Sequence, residues 1–285
     1  MRVTQSMKTN IAVVTGASRG LGRGIARALG GRGFKVYITG RSLEPLEDAA
    51  EEVDSAGGEG IPVMCDHADD AQVKMLFERI KMEAGSLDIL VNNAAAVDAR
   101  SLARPGPFWE KPLALADMIE IGLRSNYVAA YHAVPLMVAT GGSLIVNISF
   151  YGAVSYHCGP AYGAAKAGTD KMTFDMAVDL RPYNVTAVSI WPGLILTDAL
   201  KSIPREHLPP QVAAHLCNFE MPEFTGSVIE RLWRDPSKLD RSGETLISAE
   251  LGMAYGIKDL DGKQPRLYTE TLGRPTGRFM LPVTE

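Results

Sequence analysis

Short, almost continuously apolar runs separated by stretches of helical periodicity constrain this chain more than any other feature. The runs are Asn10–Thr15 (NIAVVT), Lys35–Thr39 (KVYIT), Gly60–Cys65 (GIPVMC), Leu87–Asn92 (LDILVN), Ser143–Ile148 (SLIVNI) and Val185–Ile190 (VTAVSI). They do not alternate between apolar and polar residues. A strand of that kind has both faces covered, as in a parallel sheet clad by helices. Between the runs, Gly22–Gly31, Leu43–Ala56, Asp70–Glu83, Leu115–Ala139 and Ala161–Leu180 read as helices, the second ended by Gly57-Gly58. A seventh strand is expected at Thr245–Ser248, after the Ser242-Gly243 turn.

Repeated β-α-β units of this order predict an α/β fold with a doubly wound, Rossmann-type parallel sheet. A chain of 285 residues, 46% hydrophobic and 22% charged, suits one large globular domain with a substantial core. That domain is expected over 10–252. Residues 1–9 read as a flexible tail, and 253–285 as an extension that either wraps the surface or reaches a neighbouring subunit. Two Pro-containing loops, 96–112 and about 196–225, leave the carboxyl ends of strands, where open α/β sheets bind ligands.

The formal net charge of −4 supplies no basic field for nucleic acid. Cys65, Cys158 and Cys217 are odd in number and far apart, which argues for a reducing, cytoplasmic setting rather than a disulfide framework. No histidines or cysteines have metal-ligand spacing, so no metal is expected. No Asp, Glu, Lys or Arg occurs from Ser125 to Ala165. Even so, Asn126, His132, Pro135, Gly141-Gly142 and Asn147 interrupt the stretch, and no membrane span is expected. The charge-free helix around Tyr127–Met137 suits an interface between copies of the chain, a dimer or tetramer.

The first apolar run leads into Thr15-Gly16-Ala17-Ser18-Arg19-Gly20-Leu21-Gly22. Glycines at 16, 20 and 22 allow a tight turn, close approach to a pyrophosphate and close helix–strand packing. The helix that follows presents its N-terminal amides to phosphates. Three glycines in a turn say little alone; between a first strand and a first helix they point to a dinucleotide. An NAD site usually carries an acid at the end of the second strand. Here that strand ends Thr39-Gly40-Arg41-Ser42. Arg41 and Arg19 suit a 2′-phosphate through bidentate pairing, so NADP is the preferred cofactor and NAD the alternative. The bland account makes both arginines solvated surface charges.

Tyr162 and Lys166 stand four apart on one helix face. A free phenol, with a pKa near about 10, transfers protons poorly at neutral pH, and a neighbouring ammonium lowers that value. Tyr-x-x-x-Lys is common helix decoration. Its position after the fifth strand, with Ser149 at that strand's carboxyl end, makes it a candidate catalytic group.

At this point the chain resembles a short-chain dehydrogenase/reductase. The motifs are TGASRGLG (15–22), Cys65-Asp66, NNAA (92–95), Ser149, YGAAK (162–166) and WPGLILT (191–197). Within that family it is similar to the dehydrogenase/reductase member 1 branch, through YITGRSL (37–43), FWEKP (108–112), GLRSNY (122–127) and WPG (191–193). The resemblance implies NAD(P)-dependent reduction of a hydrophobic ketone or aldehyde, steroids included, or the reverse alcohol oxidation. It implies that Tyr162 is the general acid or base, that Ser149 orients the substrate oxygen, and that Lys166 bonds the nicotinamide ribose. Gly16, Ser18, Arg19, Gly20, Leu21, Gly22 and Arg41 would hold the phosphates, and Asp66 the adenine. Asn92 and Ala94 would lie along the cofactor. Pro192, Gly193, Ile195 and Thr197 would hold the carboxamide.

One position departs from the family. The Asn that usually completes a catalytic tetrad is replaced by Gly122, with Asn126 one helical turn later. Either Asn126 supplies the polar group, or a water held by helix carbonyls near Gly122 does; the bland account is that the glycine permits close packing. Tyr151, Tyr156, His157, Phe108, Trp109, Phe219 and Phe224 could line an apolar substrate pocket. Tyr151, His157 and Trp109 are the substrate-contact candidates, and each could equally be core or loop packing. An NAD-dependent alcohol dehydrogenase is the rival within the family. The rival from another class is a non-catalytic nucleotide-binding regulator. The joint presence of Ser149, Tyr162 and Lys166 argues against the latter.

Overall fold

The computed structural model describes residues 9–97, 101–102, 104–208, 210–276 and 279–281. The expected tail 1–9 lies almost wholly outside them. Seven strands form the sheet: β1 (Ile11–Val14), β2 (Lys35–Gly40), β3 (Glu59–Met64), β4 (Ile89–Asn92), β5 (Leu144–Ile148), β6 (Thr186–Trp191) and β7 (Thr245–Ile247). Their order is β3-β2-β1-β4-β5-β6-β7 and every pairing is parallel. The order reverses between β1 and β4, which opens a crevice at the carboxyl ends of those strands.

The principal helices are α1 (Gly20–Gly30), α2 (Leu43–Ser55), α3 (Asp70–Glu83), α4 (Ser125–Thr140), α5 (Pro160–Leu180), α6 (Pro222–Arg234) and α7 (Ser248–Tyr255). They cover both faces of the sheet. Ala12 and Val14 of β1 join one buried cluster with Ile25, Leu46, Phe224 and Val228. Ile11 and Val13 join another with Leu76, Phe77, Ala133 and Met137. Alternate side chains of one strand thus enter opposite cores, which is why the strands are apolar throughout. The α3 helix starts where its sequence says, because the Asp69 carboxylate accepts from the Ala71 and Gln72 amides.

Three regions differ from the sequence-based expectation. The helix expected over Leu115–Ala139 is assembled from a 3₁₀ turn (Leu113–Ala116), a short α turn (Asp117–Ile119), a π segment (Glu120–Arg124) and then α4. The loop expected to run to about 225 ends earlier, since Pro222 opens α6 at its first position, where a missing N–H costs nothing. The boundary expected at 252 falls inside α7. Beyond α7 the chain folds back on itself. The Asp259 carboxylate accepts from the Met221 amide at 2.8 Å, the Tyr268 hydroxyl donates to the Asn218 carbonyl at 3.0 Å, and Arg274 pairs with Glu250.

Candidate active site

The crevice beside β1 is shaped by two glycines and an asparagine. The Asn93 side-chain amide donates to the Thr15 and Gly16 carbonyls at 2.9 and 3.1 Å. The Thr15 hydroxyl accepts from the Asn93 and Ala94 amides, both at 2.9 Å. These bonds draw the turn after β1 against the end of β4. Gly16 has φ +63°, and a Cβ on it would stand 2.8 Å from Ala94 Cα. A Cβ on Gly22 would stand 2.5 Å from Asn93 Nδ2. Only glycine fits at either place. No side chain caps the start of α1, so its first amides remain available to an anion.

The crevice holds about 300 Å³ and is lined by Gly16, Ser18, Arg19, Gly20, Arg41 and Asp66, with Ala94 on its far wall. Arg19 and Arg41 are exposed at its edge, and among the described residues neither guanidinium has an ion-pair or hydrogen-bond partner. Leu21 faces inward and packs on the core. Beneath the turn, the Gly16 amide donates to the Thr39 hydroxyl at 3.3 Å, which contacts His67 Nε2 at 2.7 Å. Burial pushes the His67 imidazole down to about 4, so it is neutral near pH 7 and shares one hydrogen bond with the Thr39 hydroxyl. A glycine cradle, uncapped helix amides and two unpaired guanidinium groups fit a phosphorylated dinucleotide.

The α5 helix carries Tyr162, Lys166 and Asp170 on one face. Lys166 is buried, and its ammonium donates to the Ile148 carbonyl at 2.9 Å. The same nitrogen lies 5.6 Å from the Tyr162 ring centroid. Burial pushes the ammonium down to about 8, opposed by the Asp170 charge. The Tyr162 phenol is pushed well above its ordinary value, first by burial and then by Cys158. This differs from the sequence-based expectation of a phenol acidified by lysine: Lys166 faces the ring and the β5 carbonyl. Ser149 is buried at the end of β5, and its oxygen is 3.2 Å from the Lys166 carbonyl.

Gly122 lies in the π segment. Its carbonyl accepts from Asn126 Nδ2 at 3.1 Å and from the Thr169 hydroxyl at 3.3 Å. The single Thr169 proton also reaches the Ala165 carbonyl at the shorter 2.8 Å, so the Asn126 bond is the firmer of the two on the Gly122 carbonyl. Packing does not demand the glycine, since the nearest atom to an added Cβ would be Ala165 Cβ at 3.8 Å. Asn92 is buried and does not line the crevice; its amide donates to the Asn126 carbonyl and to Asn147 Oδ1.

Past β6, Pro192 and Gly193 turn the chain over the crevice. Gly193 N–H bonds the Glu220 carboxylate, and residues 194–196 pair with Glu220 through both its backbone groups. Thr197 accepts from the Leu200 amide, and its methyl would stand 3.6 Å from a Cβ on Gly20. The two ends of the cofactor sequence motif thus meet across the opening.

The aromatic candidates separate cleanly. Tyr151 is fully buried against Trp191, Phe150 and Tyr268, so it is a packing residue and not a pocket wall. Phe224 is also core. Trp109 is 71% exposed, edge-on to Phe108. His157 stands beside Tyr162, with ring centroids 5.9 Å apart, and burial lowers its pKa. Asn93, Asp170 and Glu220 escaped sequence reasoning. Asn93 was within a quoted motif, and Asp170 follows Lys166 at helical spacing. Glu220 had no local signal.

A family model described as short chain dehydrogenase matches residues 10–208. The chain belongs to the short-chain dehydrogenase/reductase family, oxidoreductases acting on carbonyl and alcohol groups. Within it, the chain sides with the member 1 branch. It is 41% identical over 271 residues to dehydrogenase/reductase SDR family member 1 of Mus musculus, covering 92% of this chain and 87% of the relative. The Homo sapiens counterpart is 40% identical over the same shares. Among solved structures, a variant of actinorhodin polyketide ketoreductase with NADPH is 25% identical, with a TM-score of 0.72 over 84% of this chain and 95% of that one.

Proposed function

We propose that this oxidoreductase uses NADPH to reduce a hydrophobic ketone or aldehyde, or runs the reverse alcohol oxidation, with Tyr162 as the proton donor or acceptor. The observation that carries the reading is the placement of Tyr162 over the buried Lys166 ammonium, at the same sheet end as a phosphate cradle flanked by unpaired Arg19 and Arg41. Both guanidinium groups suit a 2′-phosphate.

The nicotinamide, when bound, supplies the hydride. Gly16, Ser18, Gly20 and the first amides of α1 hold the pyrophosphate, Asp66 the adenine, and Pro192, Gly193, Ile195 and Thr197 the carboxamide. Tyr162 starts as a neutral phenol, because burial holds its proton on. It gives that proton to the substrate oxygen as charge develops there. Lys166 keeps a positive charge close to the phenolate left behind. Ser149 offers its hydroxyl to the same substrate oxygen. His157 and Phe150 border the Tyr162 ring and favour an apolar substrate, steroids among the class. An apolar cavity of about 380 Å³ beside the start of α5, lined by Leu113, Met118, Ile119 and Tyr156, extends that character.

The outer face of α4 supports self-association. Tyr127 and Tyr131 are 55% and 67% exposed and border, with Pro135 and Met176, a mainly apolar hollow that has Asp179 and His132 in its lining. A Tyr131→Glu variant is expected to dissociate a dimer or tetramer by light scattering. Three free thiols fit a reducing, cytoplasmic setting. Among the described residues no helix is long and apolar enough to cross a membrane.

The decisive experiment mixes the protein with NADPH or NADH and a panel of ketones, aldehydes and steroids, and follows reduced-cofactor absorbance. NADPH loss with an apolar ketone, abolished in Tyr162→Phe, supports the proposal. Equal turnover by Tyr162→Phe, or turnover with NADH alone, overturns it.

A further inference from the structure

Asp170 is a buried carboxylate, only 6% exposed, one helical turn beyond Lys166. It gathers donors from the end of one strand, β6. The Ser189 hydroxyl donates to it at 2.5 Å, and Trp191 Nε1 reaches both of its oxygens, at 3.2 and 3.1 Å. The Ser149 hydroxyl is close by, with its single proton directed to the Lys166 carbonyl at 3.2 Å. Ser149 closes β5, and Trp191 closes β6 immediately before Pro192-Gly193. The two ends are themselves joined, since the Ser149 amide donates to the Ile190 carbonyl at 2.9 Å.

Resting on the reductase reading, we propose that Asp170 is a positioning residue: one carboxylate on the catalytic helix fixes the strand end that feeds the nicotinamide loop, to which Ser149 is tied through its backbone amide, and serves as counter-ion to Lys166. A buried carboxylate is costly unless it is bonded; this one holds the Ser189 hydroxyl and the Trp191 indole, and the Lys166 charge lies one helical turn away. The charged or titratable groups around Asp170 are few. Lys166 is the cation on its own helix; β5 and β6 bring the neutral Ser149, Ser189 and Trp191, and Tyr151 packs behind Trp191. The Lys166 ammonium has one acceptor in the Ile148 carbonyl, and the Asp170 charge is what favours it against burial.

Asp170→Asn tests this in the full chain, because it keeps the shape and an acceptor oxygen while removing the charge. Trp191 reports on the tie without any turnover. Its indole N–H resonance, assigned by its loss in Trp191→Phe, is expected to move in Asp170→Asn while those of Trp109 and Trp233 stay. An unmoved Trp191 signal overturns the anchor, even if no substrate has been found. In turnover, kcat is expected to fall at least about tenfold with the NADPH KM within about threefold. The alkaline limb of the pH profile should move down by about one unit, since Lys166 loses the charge that raises its pKa. Asp170→Glu should restore that limb. Loss of kcat with an unchanged limb and a matching fall in thermal stability reduces Asp170 to a packing residue and overturns the counter-ion role. A wild-type protein that reduces no carbonyl defeats the reductase reading instead, leaving the resonance experiment to judge the anchor.

Discussion

Tyr162 lies so close over Gly152 that a methyl group on the glycine would stand 2.6 Å from ring carbon Cε1. The phenol is therefore aimed by a residue without a side chain, on the short 3₁₀ turn Tyr151–Ala153. Gly152→Ala should push the ring off its line. We expect kcat to fall about a hundredfold with cofactor affinity nearly unchanged. Overpacking should also cost about 1–3 kcal/mol, read by urea unfolding. A variant with wild-type kcat would show that Gly152 does not aim Tyr162.

Among the described residues, Arg41 and Arg19 have no partner to lose. Replacing Arg41 with Ala should therefore leave stability within about 0.5 kcal/mol of wild type. Its effect should fall on the cofactor: NADPH affinity drops about tenfold or more, while NADH affinity hardly moves. Titrating both cofactors by fluorescence checks the contrast. Equal losses for the two would assign Arg41 to the shared pyrophosphate.

Glu220 bonds the loop that follows β6 in a fully buried setting, which pushes its carboxyl up from 4.5 to about 8. The fold thus favours the protonated acid. Its contribution to stability is whole below about 4.5, declines as pH rises, and is gone above about 8. Between pH 6 and 9 the wild type should lose stability that a Glu220→Gln variant keeps. Urea unfolding of both proteins at several pH values decides this, and parallel curves would refute it.

Gly122 has room beside it and no left-handed backbone to protect. Gly122→Ala should be neutral or stabilising by up to about 1 kcal/mol. Turnover should stay within about threefold, since the Gly122 carbonyl keeps its bond from the Asn126 side chain. A collapse of activity with an intact fold would mean that the space itself, and what occupies it, takes part in proton transfer.

Much of the molecule could be read from local pattern because the forces there are local. The Asp69 cap fixed the start of α3, and alternate residues entering two cores made β1 apolar throughout. Tyr162 and Lys166 share a face by helical geometry alone. The misreadings lie where distant segments decide. Tyr151 looked like a pocket wall until Tyr268, far along the chain, packed behind it. The π segment at Gly122 shares its carbonyl with Thr169 of α5, a partner that periodicity around Leu115–Ala139 could not reveal. Glu220 meets Gly193 through a buried acid, whereas sequence reasoning treats acids as surface groups.

Tyr268 also sets an order of events during synthesis. The ribosome releases the chain from its first residue onward, so the last strand, ending at Ile247, leaves the ribosome before Tyr268 does. The sheet and the catalytic helix can assemble while the wall behind Tyr151 and the tie to Asn218 are still missing. A nascent chain halted between those points would own every reacting group yet lack the backing that keeps one side of the site in place.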